Sequence, residues 1–110
     1  MFYKLTYFVP EYGLEKTKQA LFAAGAGHHQ NYDRVSWQVQ GVGQFRPLGG
    51  ANPELGQVGR LCQVPEYRVE TICDAKSLDG AIKALRENHP YEAPAIEIYA
   101  LKYPTKTSEL

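Results

Sequence analysis

Residues 61–101 read LCQVPEYRVETICDAKSLDGAIKALRENHPYEAPAIEIYAL, and the fold is decided in this stretch. From about Leu61 to Cys73 the side chains alternate. Tyr67, Val69, Thr71 and Cys73 share one face, and Glu66, Arg68 and Glu70 share the other. That is the two-residue period of a strand with one covered side. Arg68 between its two acidic neighbours reads as a charge ladder on a solvated or subunit-facing surface. From Ser77 to Asn88 the period changes. Leu78, Ala81, Ile82 and Leu85 fall at i, i+3, i+4 and i+7, which makes one apolar stripe on a helix. Ser77 is the expected N-cap. Pro90 stops the helix and drives His89 into extended backbone. A strand from Ala95 to Leu101 follows.

The N-terminal half repeats this order. Phe2 to Val9 is rich in aromatic and branched residues, the composition of a strand. Bulk stands on both of its faces: Phe2, Thr6 and Phe8 on one, Tyr3, Leu5, Tyr7 and Val9 on the other. Pro10 ends it. A helix is expected from about Tyr12 to Ala24, with Leu14, Thr17, Leu21 and Ala24 on its inner side. Gly25-Ala26-Gly27 closes it, because glycine adopts the left-handed backbone that ends helices. A second strand is expected from Val35 to about Val42. Strand–helix–strand, twice, is the α+β ferredoxin-like arrangement: an antiparallel sheet of four strands with two helices on one face. The other face has no helix to cover it, and self-association is the simplest cover.

A chain of 110 residues is one domain by size, large enough to bury a core without metal or disulfide staples. Twelve basic and twelve acidic residues cancel. No basic stripe marks a nucleic-acid partner. No apolar run approaches the roughly 20 residues that span a bilayer. Met1-Phe2-Tyr3-Lys4-Leu5 does not begin a secretory signal. Cys62 and Cys73 lie too far apart along one extended segment to bridge. Free thiols fit a reducing compartment, so the cytoplasm is expected. Residues 1–101 form the domain, and 102–110 form a polar, frayed tail.

Two segments exceed what a connector needs. Gly41 to Gly59 holds six of the ten glycines, together with Phe45-Arg46-Pro47 and Ala51-Asn52-Pro53. Ordinary connections take only about 2–6 residues, and longer ordered loops tend to carry function. Phe45 to Pro53 is expected to be ordered by a neighbouring subunit. Gly41-Val42-Gly43 lacks the third glycine and the following helix of a dinucleotide fingerprint, and no Gly-Lys-Ser/Thr marks a P-loop. Its glycines let the strand bend or another chain approach, and its amides can cradle an anion. The second segment is His89-Pro90-Tyr91-Glu92. An imidazole and a carboxylate three residues apart on a rigid corner suit a divalent ion or an oriented substrate. The plainer reading is that His89 caps the helix and Tyr91 packs on the sheet. His28-His29 is either a ligand pair needing a third partner or a polar turn. No Ser-His-Asp or Cys-His set is legible, and the carboxylates form no isolated pair.

Several motifs then occur in a specific order. They are Gly25-Ala26-Gly27, Asn31-Tyr32-Asp33, Ser36, Gly41-x-Gly43-x-Phe45-Arg46-Pro47, Gly50-Ala51-Asn52-Pro53, Gly56-x-x-Gly59, Glu66-x-Arg68-x-Glu70 and His89-Pro90-Tyr91-Glu92-x-Pro94-Ala95. From Val9 to Leu101 the chain resembles the domain inserted in many bacterial Nif-three-like proteins, the dinuclear-metal hexamer family. That domain is similar to the PII and CutA folds, so the resemblance implies a ferredoxin-like trimer. It also implies that the two-metal site of the family lies in flanking halves, so the family's hydrolase activity does not transfer. The chain looks like a stand-alone copy. It departs from the pattern at His29-Gln30, where Ile-Gly is usual, and at Val35, where cysteine is usual.

The expected function is a non-enzymatic PII/CutA-like regulatory module. It binds a small ligand or a divalent metal ion, the one cofactor candidate, at the clefts of a homotrimer. The expected ligand-binding residues are Asn31, Tyr32, Gly41, Gly43, Phe45, Arg46, Pro47 and Tyr91. The expected metal ligands are His89, Glu92 and His28. The alternative is a regulatory or lid subunit that docks on a separate dinuclear-metal protein.

Overall fold

A computed structural model describes residues 1–102, so the tail expected over 102–110 lies almost wholly outside the described residues. The elements run β1 (Phe2–Val9), α1 (Glu11–Ala23), β2 (Ser36–Phe45), β3 (Cys62–Asp74), α2 (Ala75–Asn88) and β4 (Ile96–Leu101). The strands form one sheet in the order β2-β3-β1-β4, and each neighbouring pair is antiparallel. This is the ferredoxin-like fold expected from the pattern.

The core lies between the sheet and the helices. Leu5, Tyr7 and Val9 of β1 and Val69 and Cys73 of β3 meet Leu14, Leu21, Ala81 and Leu85 of the helices. Thr17 tethers α1 to the sheet. Its hydroxyl donates to the Gly13 carbonyl at 2.8 Å and lies 2.8 Å from the Tyr7 phenol, which donates to it in turn. Burial pushes the Tyr7 phenol up to about 12, against the lowering effect of the Thr17 bond. The stop of α1 follows expectation, since Gly25 and Gly27 have φ of 104° and 84°. At Gly25 a Cβ would also come within 2.7 Å of Ser77 Oγ, so α1 can end against the first turn of α2 only with glycine there.

Several boundaries differ from the sequence reading, most of them by one residue. The N-cap of α2 is Asp74, whose carboxylate accepts from the Ser77 amide at 3.1 Å; Ser77 lies inside the helix. Strand β2 runs on to Phe45, because β3 is long enough to pair it: Gly41 faces Glu66, Gly43 faces Val64 and Phe45 faces Cys62. Gly41 and Gly43 are therefore strand residues, and the connecting loop is 46–61. Strand β4 begins at Ile96, one residue later than expected.

The face away from the helices carries Trp37, Val39, Ile72, Phe2 and Tyr99 around a charged centre. There Lys4 and Arg68 both pair with Glu70, at 3.1 and 3.2 Å. Trp37 is 57% exposed. Thr6 sits amid this face, fully buried, and within the described residues its hydroxyl has no hydrogen-bond partner.

Candidate functional site

The corner after α2 is built around a buried imidazole. His89 caps α2 with extended backbone, φ −82° and ψ 137°, as the following proline dictates. Its Nδ1 accepts from the Tyr91 amide at 3.1 Å. Its Nε2 must then carry the proton, and it donates to the Phe8 carbonyl at 2.7 Å. Burial lowers the His89 pKa, opposed by the Phe8 bond and by Glu66. The Tyr7 ring meets the imidazole edge-on at 6.2 Å, and the Tyr91 ring lies 4.8 Å from it, tilted. Pro90 then packs on α1 at Gly13, where a Cβ would fall 2.9 Å from Val9 Cγ2 and 3.1 Å from Pro90 Cδ. The corner is thereby fixed to the end of β1 and the start of α1.

The glycine-rich loop folds back onto this corner. Gly59 N donates to the Pro47 carbonyl at 2.7 Å, closing the loop base, and Pro47 is buried. Asn52 N donates to Glu92 Oε1 at 2.9 Å, which clasps the loop to the corner. These contacts tie the segment Phe45 to Pro53, which was expected to be ordered by a neighbouring subunit, to its own domain at Asn52 and Pro47.

Between loop and corner lies a cavity of about 390 Å³. Phe8, Phe45, Pro47, Pro53 and Leu55 supply its apolar wall, and Glu54, Glu66 and Glu92 are its ionisable carboxylates. The Tyr91 phenol donates to Glu66 Oε2 at 2.7 Å. Burial and then the Glu66 carboxylate raise the Tyr91 pKa strongly. Gly43 makes that bond possible: a Cβ on it would collide with the Glu66 carboxylate. At the rim the Tyr12 hydroxyl lies 3.5 Å from Glu54 Oε1.

Of the residues singled out by sequence, Gly43, Phe45, Pro47, Tyr91 and Glu92 line this cavity. Arg46 is exposed and outside its wall, and Gly41 lies one pleat away with nothing near its Cα hydrogen. Asn31, Tyr32 and His28 belong to the turn after α1, which the His29–Tyr32 bridge closes. That turn hangs on the opposite end of the sheet, where Gly27 N donates to the Ile72 carbonyl. His28 is therefore never near His89 and Glu92. Among the described residues, no three His, Cys, Asp or Glu side chains are grouped to hold a metal ion. His89 has both ring nitrogens engaged, and Glu92 holds the loop. The metal set of His28, His89 and Glu92 is thus not assembled. Sequence reading missed Phe8, Glu54, Leu55 and Glu66. Glu66 was assigned to the charge ladder, and only the reach of β3 past Gly43 brings it to Tyr91.

The fold is that of the CutA proteins: a periplasmic divalent cation tolerance protein CutA from Archaeoglobus fulgidus superposes with a TM-score of 0.69 at 12% identity, over 96% of this chain and 89% of that one. Closer likeness is to NIF3-related proteins. The crystal structure of a Bacillus cereus protein related to NIF3 gives a TM-score of 0.81 at 37% identity, over 93% of this chain and 26% of that one. A Mycobacterium tuberculosis protein named GTP cyclohydrolase 1 type 2 homolog is 42% identical over 107 residues, 97% of this chain and 28% of that protein. No family model matches the chain. The chain thus has a CutA-like fold and resembles one segment of the NIF3-related proteins, and it spans little more than a quarter of the curated relatives it matches.

Proposed function

We propose that the chain is a non-enzymatic regulatory module that binds a small ligand in the cavity between the glycine-rich loop and the His89–Glu92 corner. The observation that carries this reading is the clasp itself. Asn52 and Glu92 join two segments distant in sequence, and an open cleft of about 390 Å³ stands between them. Ligand sites are concave, mostly apolar and furnished with a few placed polar groups. Two polar side chains hold the cavity wall itself, Glu92 on the Asn52 amide and Glu66 on the Tyr91 phenol, which suits a binding site. A divalent metal ion remains a candidate ligand only with donors from another chain, because the described residues group no three ligands.

The module acts as a homo-oligomer in this reading, with a trimer as the form the PII and CutA resemblance implies. Its support is the helix-free sheet face, where Trp37, Val39 and Tyr99 stand exposed around the Lys4–Glu70–Arg68 ion pairs. The cytoplasm is the proposed compartment, on the strength of the free thiols of Cys62 and Cys73. No helix among the described residues is long and apolar enough to cross a membrane. One observation favours a second reading, docking on a separate dinuclear-metal protein: relatives carry this segment within chains of which it is only 28%.

A fragment screen followed by amide shifts of the labelled protein tests the site. Hits are expected to move Phe45, Leu55 and Tyr91 together. Hits that gather on the turn at His28 instead would remove the assignment. Light scattering at micromolar concentration checks the assembly, and a monomer there would count against the trimer.

A further inference from the structure

The cavity's wall is unequal in charge. Glu54, Glu66 and Glu92 are the ionisable carboxylates lining it, and no lysine, arginine or histidine lines it with them. Each uses one oxygen on a neutral donor: Glu92 on the Asn52 amide, Glu66 on the Tyr91 phenol, Glu54 more loosely on the Tyr12 hydroxyl. Ion pairs of the described residues lie elsewhere: Lys4 and Arg68 on Glu70, Lys18 on Glu15, Arg34 on Asp33 and Lys83 on Glu87. Among the described residues these three carboxylates, like Glu11, Asp74, Asp79 and Glu97, take part in no ion pair; what sets the three apart is that they line one cavity together.

Three like charges line a space that Phe8, Phe45, Pro53 and Leu55 also wall, with Glu66 half-buried and Glu54 and Glu92 reaching water. A cation entering that space is attracted by all three. An anion is repelled. A bare divalent ion suits the site less well, since the carboxylates are not grouped on one point and most of the surface is apolar. Phe8, Phe45 and Tyr91 also line the space, and aromatic rings attract an organic cation through the ring quadrupole. The geometry points to a ligand with a primary ammonium or guanidinium group on an apolar body about the size of one aromatic ring, bound with its charge toward Glu54, Glu66 and Glu92. This rests on the cavity being a ligand site, and it adds the chemical class of the ligand.

Three probes of like shape separate the two claims: 2-phenylethylammonium, 2-phenylethanol and 3-phenylpropionate. Each is titrated into the full chain at low ionic strength and followed by the amide shifts of Phe45, Leu55 and Tyr91. The ammonium probe should bind at least about ten-fold more tightly than the alcohol, and added salt should shrink that margin. The propionate should bind most weakly. Glu54→Gln, on the loosest of the three carboxylates, should weaken the ammonium probe several-fold and leave the alcohol unchanged; Glu92→Gln is a second variant in case the first alters the loop. If the alcohol or the propionate binds as tightly as the ammonium, the charge assignment is overturned while the ligand-site reading stands. If none of the three produces a saturable shift at these residues, both are overturned.

Discussion

Replacing His89 by alanine should destabilise the fold, because the ring holds two backbone groups at once. The Tyr91 amide loses its acceptor and the Phe8 carbonyl loses its donor. An unsatisfied buried polar group costs about 1–3 kcal/mol. Phe8 and Tyr91 are half-buried, so water recovers part of this, and the low end of that range applies to each. His89 is only 7% exposed and its ring packs against those of Tyr7 and Tyr91, so its removal adds a cavity cost of about 1 kcal/mol. The sum is about 2–4 kcal/mol. For a domain of this size that corresponds to roughly 8–16 °C in Tm. Thermal melts by circular dichroism, at one fixed protein concentration, measure it. His89→Asn keeps an acceptor for the Tyr91 amide and should recover about half of the loss. A Tm for the alanine variant within about 2 °C of the parent would refute the reasoning, since the corner would then stand without its central ring.

The same ring predicts a pH dependence. Its folded pKa lies below the ordinary value of 6.5, chiefly through burial, so the unfolded chain takes up the proton first as pH falls. The stability it contributes is complete above about pH 6.5 and is lost below it. Melts across about pH 5 to 8 should show that slope, and His89→Asn should flatten it. Gly43→Ala should displace the Glu66 carboxylate from the Tyr91 phenol and cost about 1–2 kcal/mol. Tyr91→Phe in that background should add little, and full additivity in a double-mutant cycle would show that glycine is not needed for this bond. Thr6→Val keeps the shape of a buried side chain whose hydroxyl finds no partner among the described residues, so it should raise stability by about 1 kcal/mol. A loss of that size in chemical denaturation would mean the hydroxyl is bonded in the assembled protein.

Much of the fold was legible because periodicity is a local property. The two-residue period of 67–73 and the stripe Leu78, Ala81, Ile82, Leu85 sit within single elements, and each side chain reports its own face. Glycine and proline marked the stops for equally local reasons, at Gly25, Gly27 and Pro90. The end of β2 was not legible, because Gly43 and the residues after it read as loop until a partner strand is present to pair them.

The candidate site divides in the same way. The residues alone singled out the glycine-rich loop and the His89–Glu92 corner, because their glycines, prolines and polar groups exceed what a connector requires. They also implied a PII/CutA-like domain, since motif order is carried by the chain itself. The tertiary structure alone decided that the two segments meet, with Asn52 on Glu92, and that His89 turns inward to Phe8. It separated His28 from the corner and brought Glu66 to Tyr91. The physical reason is that hydrogen bonds between segments 25 to 81 residues apart depend on strand register and helix packing. A side chain's identity says what it can bond, and only the closed fold says what comes within reach.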